Sequence, residues 1–128
     1  MAASVDVVLI LWNPDVIQLL SLVLLDRGLK SCGIEPSDGA EMMEELIESC
    51  TPSVVAFDLC PPYSESSEVL LQLLRRFPLP AFVVTCADRS LVLKAAPWLS
   101  RYPIFQKPYE LDEIGRTVGS MVTCVEKK

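Results

Sequence analysis

The sequence lacks histidine altogether and contains only five glycines. Without imidazole, a zinc site would have to be built from scattered thiolates. The glycines form neither a Gly-x-Gly-x-x-Gly pattern nor a Walker-type glycine–lysine loop, which are common phosphate-binding signatures. The loop after the first apolar run is Trp12-Asn13-Pro14, and its proline lacks an amide that a phosphate would use. These absences count against a flavin or nucleotide binder.

Basic residues are also scarce: 11 Lys and Arg stand against 17 Asp and Glu, for a net charge of −6. Nucleic acids and anionic lipids need a basic face, so we expect neither as a partner. The most hydrophobic stretch, residues 16–25, is far shorter than the roughly 20 residues of a membrane span. The N-terminus shows no basic region and no apolar signal core.

The five cysteines are odd in number and show no Cys-x-x-Cys spacing. A disulfide framework uses paired cysteines in an oxidising compartment, so scattered thiols fit a reducing one better. We therefore predict a cytoplasmic protein.

What the sequence does contain is enough apolar material for one folded domain. Apolar residues make up 51% of its 128 residues and charged residues 22%, which predicts a single domain with a core at about residues 5–122. Short apolar runs alternate with segments of helical period. The predicted strands are 7–11, 30–35, 54–57, 81–84 and 104–106. The predicted helices are 14–28, 38–50, a segment after Pro61-Pro62, 90–99 and one around Leu111 to Met121.

Several residues predict where these helices begin or end. Asn13 before Pro14 is an N-cap pattern, and Asp38 with Glu41 has the spacing of a capping box. Pro97 predicts a bend or an early end in the fourth helix. Fully apolar strands that alternate with helices predict a doubly wound, five-stranded parallel sheet of order 2-1-3-4-5, the flavodoxin-like arrangement.

The first helix is unusually apolar. We predict that Val16, Leu19, Leu20, Val23 and Leu24 face the sheet, which leaves Ile17, Leu22 and Leu25 at the flanks or outside. An exposed patch there would suit homodimerisation or docking to another domain. The alternative is that neighbouring helices cover it.

Ligands of such sheets bind outside the carboxyl ends of the strands, where the strand order reverses. That point lies between the first and third strands. The residues brought to this edge are Leu11, Trp12, Asn13, Asp58, Leu59 and Cys60, together with Thr85 and Lys107 from the fourth and fifth strands. A carboxylate, a hydroxyl and a lysine are therefore expected on one rim.

Four motifs, each at the end of a predicted strand, resemble those of the receiver domain of two-component response regulators. Phe57-Asp58-Leu59, with Pro62 beyond it, resembles the phosphoacceptor loop. The other three motifs are Asn13-Pro14-Asp15-Val16, Val83-Val84-Thr85-Cys86-Ala87 and Gln106-Lys107-Pro108-Tyr109. The resemblance covers about residues 5–122 and implies a receiver fold, with a histidine kinase or another signalling protein as partner.

The resemblance also implies roles for individual residues. Asp58 would accept the phosphoryl group, Thr85 would hydrogen-bond a phosphoryl oxygen, and Lys107 would pair with its charge. Receivers hold magnesium with two acids at the end of the first strand, but Leu11 and Trp12 occupy those positions and offer no oxygen ligand. We expect no cofactor, and magnesium only if Asn13 and Asp15 form a rearranged site. The indole of Trp12 is predicted to fill the space of the ion.

Two further departures concern the switch itself. Ile104 stands where receivers have an aromatic switch residue, and Cys86 replaces the small residue that usually follows the switch hydroxyl. We therefore interpret the chain as a degenerate receiver, not an enzyme, that signals through protein–protein interaction. The alternatives are a still-active receiver phosphorylated on Asp58 and an unrelated doubly wound protein that binds a small ligand or does redox chemistry.

Simpler interpretations of the same residues remain open. Asp58 is also explained as a strand-end cap, Lys107 as its structural ion-pair partner, and Thr85 as an ordinary strand residue. Cys60 and Cys86 are predicted on the same rim, either as a redox pair or as inert thiols.

Overall fold

The computed structural model describes residues 5–85, 88–107 and 110–126, with side chains to residue 123. The strands are β1 (Val7–Ile10), β2 (Ser31–Ile34), β3 (Val54–Leu59), β4 (Ala81–Thr85) and β5 (Ile104–Gln106). The helices are α1 (Pro14–Asp26), α2 (Ala40–Cys50), α3 (Tyr63–Arg76), α4 (Arg89–Ala95) and α5 (Leu111–Glu126). All strand pairs are parallel, in the order β2-β1-β3-β4-β5. The predicted fold class and strand order are confirmed.

The central strands are apolar up to their carboxyl ends because both faces of the sheet are covered. Val7 and Leu9 belong to a core cluster that includes Leu20 and Ile114, from α1 and α5. Val8 and Ile10 point the other way, into a cluster with residues of α2, α3 and α4. Alternate residues of one strand thus supply two separate core layers, which explains an unbroken apolar run in place of an apolar–polar alternation.

The helix ends follow local chemistry, with one correction. Asn13 caps α1 as predicted, since its side chain accepts a hydrogen bond of 2.9 Å from the Asp15 amide. The prediction that Asp38 caps α2 was wrong. Pro36–Asp38 forms a short 3₁₀ turn, and Gly39, at φ +97°, caps the helix. Pro36 starts this turn with its fixed φ, and glycine then reverses the chain where a side chain would be strained.

The fourth helix ends early, as Pro97 predicts. α4 stops at Ala95, and residues 97–101 form a 3₁₀ turn that begins at the proline. In α3, Leu70, Leu73 and Leu74 are buried, whereas Val69 is 39% exposed and lies at the carboxyl edge of the sheet.

The facing of α1 differs from its prediction at two residues. Leu20 and Leu24 are buried, whereas Leu19 is 52% exposed, like Leu22 at 57% and Leu25 at 60%. Ile17 instead packs against the core, over Gly33 of the edge strand, where an added Cβ would collide with the Ile17 side chain. Because Gly33 has no side chain, the bulky Ile17 packs over it. With Ile17 on the sheet side of the helix, Leu19 lies on the solvent side. The three exposed leucines form an apolar stripe on α1.

Candidate functional site

The candidate site lies at the carboxyl edge of the sheet, where β1, β3 and β4 end side by side. Asp58 and Leu59 complete β3, and Leu59 is in register with Thr85 at the end of β4. Thr85 is in turn in register with Gln106 of β5. Parallel strands deliver their last residues to one edge, so the sequence-predicted residues meet there.

Asp58 is the buried carboxylate of this edge. Its residue is 6% exposed, and its Oδ2 accepts a hydrogen bond of 3.2 Å from the Trp12 backbone amide. Burial raises the pKa of Asp58 above the usual range, while the Trp12 hydrogen bond and the charge of Lys107 act to lower it. Desolvation has a larger effect on the Asp58 pKa than either the Trp12 hydrogen bond or the charge of Lys107. The carboxylate is therefore harder to ionise than an exposed aspartate.

A cleft with a volume of about 220 Å³ opens beside Asp58. Its walls come from the ends of β1 and β3, the turn before α2, and the start of α3. The lining residues are Trp12, Pro36, Met43, Phe57, Asp58, Cys60, Pro61, Pro62, Glu65, Ser66 and Val69. Most of these side chains are apolar, which explains the strong desolvation of the carboxylate.

Leu11 and Trp12 occupy the end of β1 in different ways. Leu11 is 1% exposed and packs into the cluster under α1 and α5, so it is a core residue. Trp12 is 41% exposed and forms part of the cleft wall. The cleft remains open next to the indole, and the filling of the ion's space by Trp12 stays a prediction. The residue acts on Asp58 through its amide.

The oxygen donors at this edge do not fit a magnesium ion. Mg²⁺ needs near-octahedral oxygen ligands, usually with carboxylates among them. Asp58 already uses one oxygen for the Trp12 amide, and Leu11 and Trp12 supply none. The Asn13 side chain caps α1, which leaves it engaged away from Asp58. Within the described ranges, no three His, Cys, Asp or Glu side chains gather as a metal-binding group.

Thr85 and Lys107 lie at the same edge, but Lys107 does not contact Asp58. Thr85 is fully buried, and its carbonyl accepts a 2.8 Å hydrogen bond from the Lys107 amide. The Lys107 side chain is exposed. The ion pairs among the described residues are those of Arg76 with Glu44 and Glu48, so a structural pair between Lys107 and Asp58 is not formed. Lys107 influences Asp58 only through longer-range attraction.

The remaining predicted residues have mixed outcomes. Cys60 is a free, partly buried thiol in the cleft wall, and its amide donates a 3.2 Å hydrogen bond to Ser66 Oγ. Ile104 is partly buried against the core cluster under α2, α3 and α4. Cys86 lies outside the described residues, as do Pro108 and Tyr109, so the Cys60–Cys86 redox pair stays a prediction.

Sequence reasoning missed the outer wall of the cleft. Pro36 comes from the turn before α2 and Met43 from the first turn of α2, and Glu65 with Ser66 comes from the first turn of α3. None of them carries a motif. The one available signal was position, because the loops after β2 and β3 flank the same edge.

Comparisons with known proteins agree with this geometry at the level of the fold. No family model and no curated protein matches the sequence. Among similar solved structures, a response regulator from Thermotoga maritima has a TM-score of 0.78 and 12% identity, over 94% of this chain and 98% of that one. A CheY-like receiver domain protein from Methanospirillum hungatei has a TM-score of 0.74 and 17% identity, over 97% and 98%.

A third similar structure, the BeF3-activated receiver domain of nitrogen regulatory protein C, has a TM-score of 0.69 and 22% identity, over 96% of this chain and 98% of that one. The chain has the fold of response-regulator receiver domains, which confirms the resemblance found in the sequence. Among the helices that the structure describes, none has the length and apolar character needed to cross a membrane.

Proposed function

We propose that this chain is a receiver-type signalling module that acts through protein–protein contacts, without magnesium-dependent phosphorylation of Asp58. The observation that carries the proposal is the end of β1, where Leu11 is buried in the core and Trp12 supplies only an amide to Asp58. Phosphoryl transfer depends on charge neutralisation and positioning, and this edge lacks the oxygen ligands for the metal that provides both.

The proposed partner is a histidine kinase or another cytoplasmic signalling protein. A non-catalytic role agrees with the mostly apolar walls of the cleft. The carboxylates that line it are the buried Asp58 and the exposed Glu65. The exposed leucine stripe on α1 offers an apolar surface of the kind that proteins bury on association.

A second candidate function is an active receiver, and one observation favours it. Lys107 lies at the same sheet edge as Asp58, and its positive charge acts to lower the Asp58 pKa, which is the direction expected of a lysine that would attract a phosphoryl group on that carboxylate. A small phosphodonor distinguishes the two functions.

The test is incubation of the pure chain with acetyl phosphate and Mg²⁺, followed by intact mass measurement. We expect no phosphoryl gain in either the parent or Asp58→Ala, so that each treated protein keeps the mass of its untreated form. A gain in the parent that is absent from Asp58→Ala would establish the active receiver and overturn the proposal.

A gain-of-function variant sharpens this test. Trp12→Asp places a carboxylate at a 41% exposed position beside Asp58, where it supplies a hard oxygen ligand that the Trp12 side chain cannot offer. We expect Mg²⁺ affinity to rise at least about tenfold by calorimetry, roughly 1.4 kcal/mol. Leu22→Asp, which adds the same charge on the exposed stripe of α1, is the matched control and should bind Mg²⁺ like the parent. Equal affinities in both variants would show that the missing acid is not what limits metal binding.

A further inference from the structure

Two cysteine thiols, one from the edge strand β2 and one from the helix α2, are in contact. Cys32 lies in the middle of β2, and Cys50 is the last residue of α2. Their sulfur atoms are 3.3 Å apart, and both thiols are free. A disulfide bond has an S–S length of about 2.05 Å, so the sulfurs need to approach by only about 1.3 Å. No sequence pattern revealed this pair, because the two residues are 18 positions apart.

The backbone holds both cysteines in place. Cys32 is in register with Val8 of β1, which fixes its position across the sheet. The carbonyl of Cys50 accepts a 3.1 Å hydrogen bond from the Val5 amide, and Thr51, in the left-handed conformation at φ 45°, ends the helix directly after it. Cys50 is buried in the cluster against which Cys32 packs. The contact therefore follows from two anchored segments, not from one mobile side chain.

Burial also limits how fast these thiols react. Desolvation and the contact with Cys50 raise the pKa of Cys32 to about 12, which keeps this thiol protonated at neutral pH. Thiolate is the reactive form, so rapid capture of a mild oxidant is not expected of Cys32. A slow reaction that is accelerated by alkaline pH is expected, followed by fast closure because the second sulfur already lies at contact distance.

We propose that Cys32 and Cys50 form a reversible intramolecular disulfide by exchange with a small-molecule disulfide such as oxidised glutathione. One cysteine, as thiolate, attacks a sulfur of the small disulfide, forms a mixed disulfide and releases one small thiolate. The second cysteine then loses its proton and attacks the protein sulfur of that mixed disulfide, which releases the second small thiolate. Two protein thiols are oxidised to one disulfide, and one small disulfide is reduced to two small thiols.

The bond would restrain one wall of the Asp58 cleft. The segment between the two cysteines contains Pro36 and Met43, which both line that cleft. A crosslink between β2 and the end of α2 makes this segment a closed loop and removes conformations from the unfolded chain. The oxidised protein should therefore be more stable, with less motion in the segment that joins β2 to α2.

The experiment treats the reduced full chain with excess oxidised glutathione at pH 9 and records intact mass under denaturing conditions. The expected product shows a loss of about 2 Da, carries no glutathione on Cys32 or Cys50 whatever Cys60, Cys86 and Cys124 acquire, and returns to the reduced mass with dithiothreitol. Its Tm should rise on the order of 10 °C. A parent that keeps both thiols free, or that stops at the mixed disulfide, overturns the proposal.

Single substitutions assign the bond. Cys32→Ser and Cys50→Ser should each retain glutathione as a mixed disulfide and show no loss of 2 Da, whereas Cys60→Ser should behave like the parent. Combined digestion after lysine and glutamate of the oxidised Cys60→Ser protein should link residues 31–41, which hold Cys32, to the fragment that begins at residue 49, since Pro36 blocks cleavage after Glu35. A 2 Da loss that persists in Cys32→Ser would place the disulfide elsewhere and refute the assignment.

Discussion

Trp12 acts on Asp58 through its backbone amide, while its indole forms one wall of an open cleft. Any non-proline residue at position 12 could donate this hydrogen bond, so the side chain matters mainly because tryptophan carries no carboxylate. Leu11 shows the same effect more strongly, because it continues the apolar pattern of β1 into the core. At the scale of single residues, two side chains without oxygen stand where the receiver resemblance implies acids, so neither position offers a ligand to a hard cation.

The burial of Asp58 predicts how the stability of the folded chain depends on pH. Its folded pKa is raised above the usual 3.8, so the folded chain holds the proton more tightly than the unfolded chain. The corresponding stability is fully present below about pH 3.8 and is lost as the pH rises through the folded pKa. Asp58→Asn keeps an acceptor for the Trp12 amide and removes the buried charge. We expect this variant to have a higher Tm than the parent at pH 7, with the difference shrinking as the pH falls toward 3.8.

Thermal unfolding of both proteins between pH 3.5 and 8 measures this difference. Glu65→Gln is a matched control, since it neutralises an exposed carboxylate of the same cleft. If the parent gained stability over Asp58→Asn as the pH rose, the Trp12 hydrogen bond and Lys107 would outweigh desolvation, and the direction assigned to the Asp58 pKa would be wrong.

At the scale of elements, α1 shows how one missing side chain on a neighbouring strand sets the facing of a helix. Periodicity placed Leu19 toward the sheet, but Gly33 on β2 leaves a space that Ile17 fills. Leu19 then joins Leu22 and Leu25 on the exposed stripe. A helical period fixes which residues share a face and does not fix which face docks, because docking depends on the shape of the partner surface.

The close approach at Gly33 gives a test at this scale. Gly33→Ala introduces a Cβ that collides with the stiff, branched Ile17 side chain, so we expect a loss of about 1–3 kcal/mol in the free energy of unfolding. Gly119→Ala in α5 is the control, because nothing lies within 4 Å of its added Cβ and alanine favours the helix by about 1 kcal/mol. Urea denaturation measures both.

A double-mutant cycle isolates the contact. In an Ile17→Ala background, Gly33→Ala should cost at least about 0.5 kcal/mol less than in the parent, because the colliding atoms are gone. Equal costs in both backgrounds would mean that backbone effects at position 33, and not Ile17, account for the loss.

At the scale of the whole molecule, the five strands form the shared wall of two core clusters. Leu20 belongs to the cluster under α1 and α5, and Leu70 to the one under α2, α3 and α4. Because every central strand contributes to both clusters, neither layer can separate without disrupting the sheet. The described chain is thus expected to unfold as one unit.

Cooperativity of this kind is measurable with two probes. Far-ultraviolet circular dichroism follows the helices, and tryptophan fluorescence follows Trp12 and Trp98. We expect coincident transitions in urea, and Leu20→Ala and Leu70→Ala should each shift both probes equally, at a cost of about 2–5 kcal/mol per variant. Separate midpoints for the two probes in either variant would show that the two layers unfold independently.

Much of this protein follows from the sequence alone. Continuous apolar runs and helical periods predict five parallel strands, their order and the residues at the carboxyl edge, because pattern and chain connectivity limit the topology to very few arrangements. The same reading identifies Asp58, Thr85 and Lys107 as neighbours of one edge. It also shows that the acids expected before Asn13 are absent, since a side chain without oxygen cannot coordinate a hard cation wherever it points.

Other properties were decided only by the tertiary structure. The open cleft beside Asp58, the lack of contact between Lys107 and Asp58, the outward turn of Leu19 and the 3.3 Å contact of Cys32 with Cys50 all depend on how separate segments pack. Each involves groups that are distant in sequence, so local propensity carries no information about their separation. Their positions are set by close packing of the whole chain, as at Gly33, where the space that glycine leaves is occupied by Ile17.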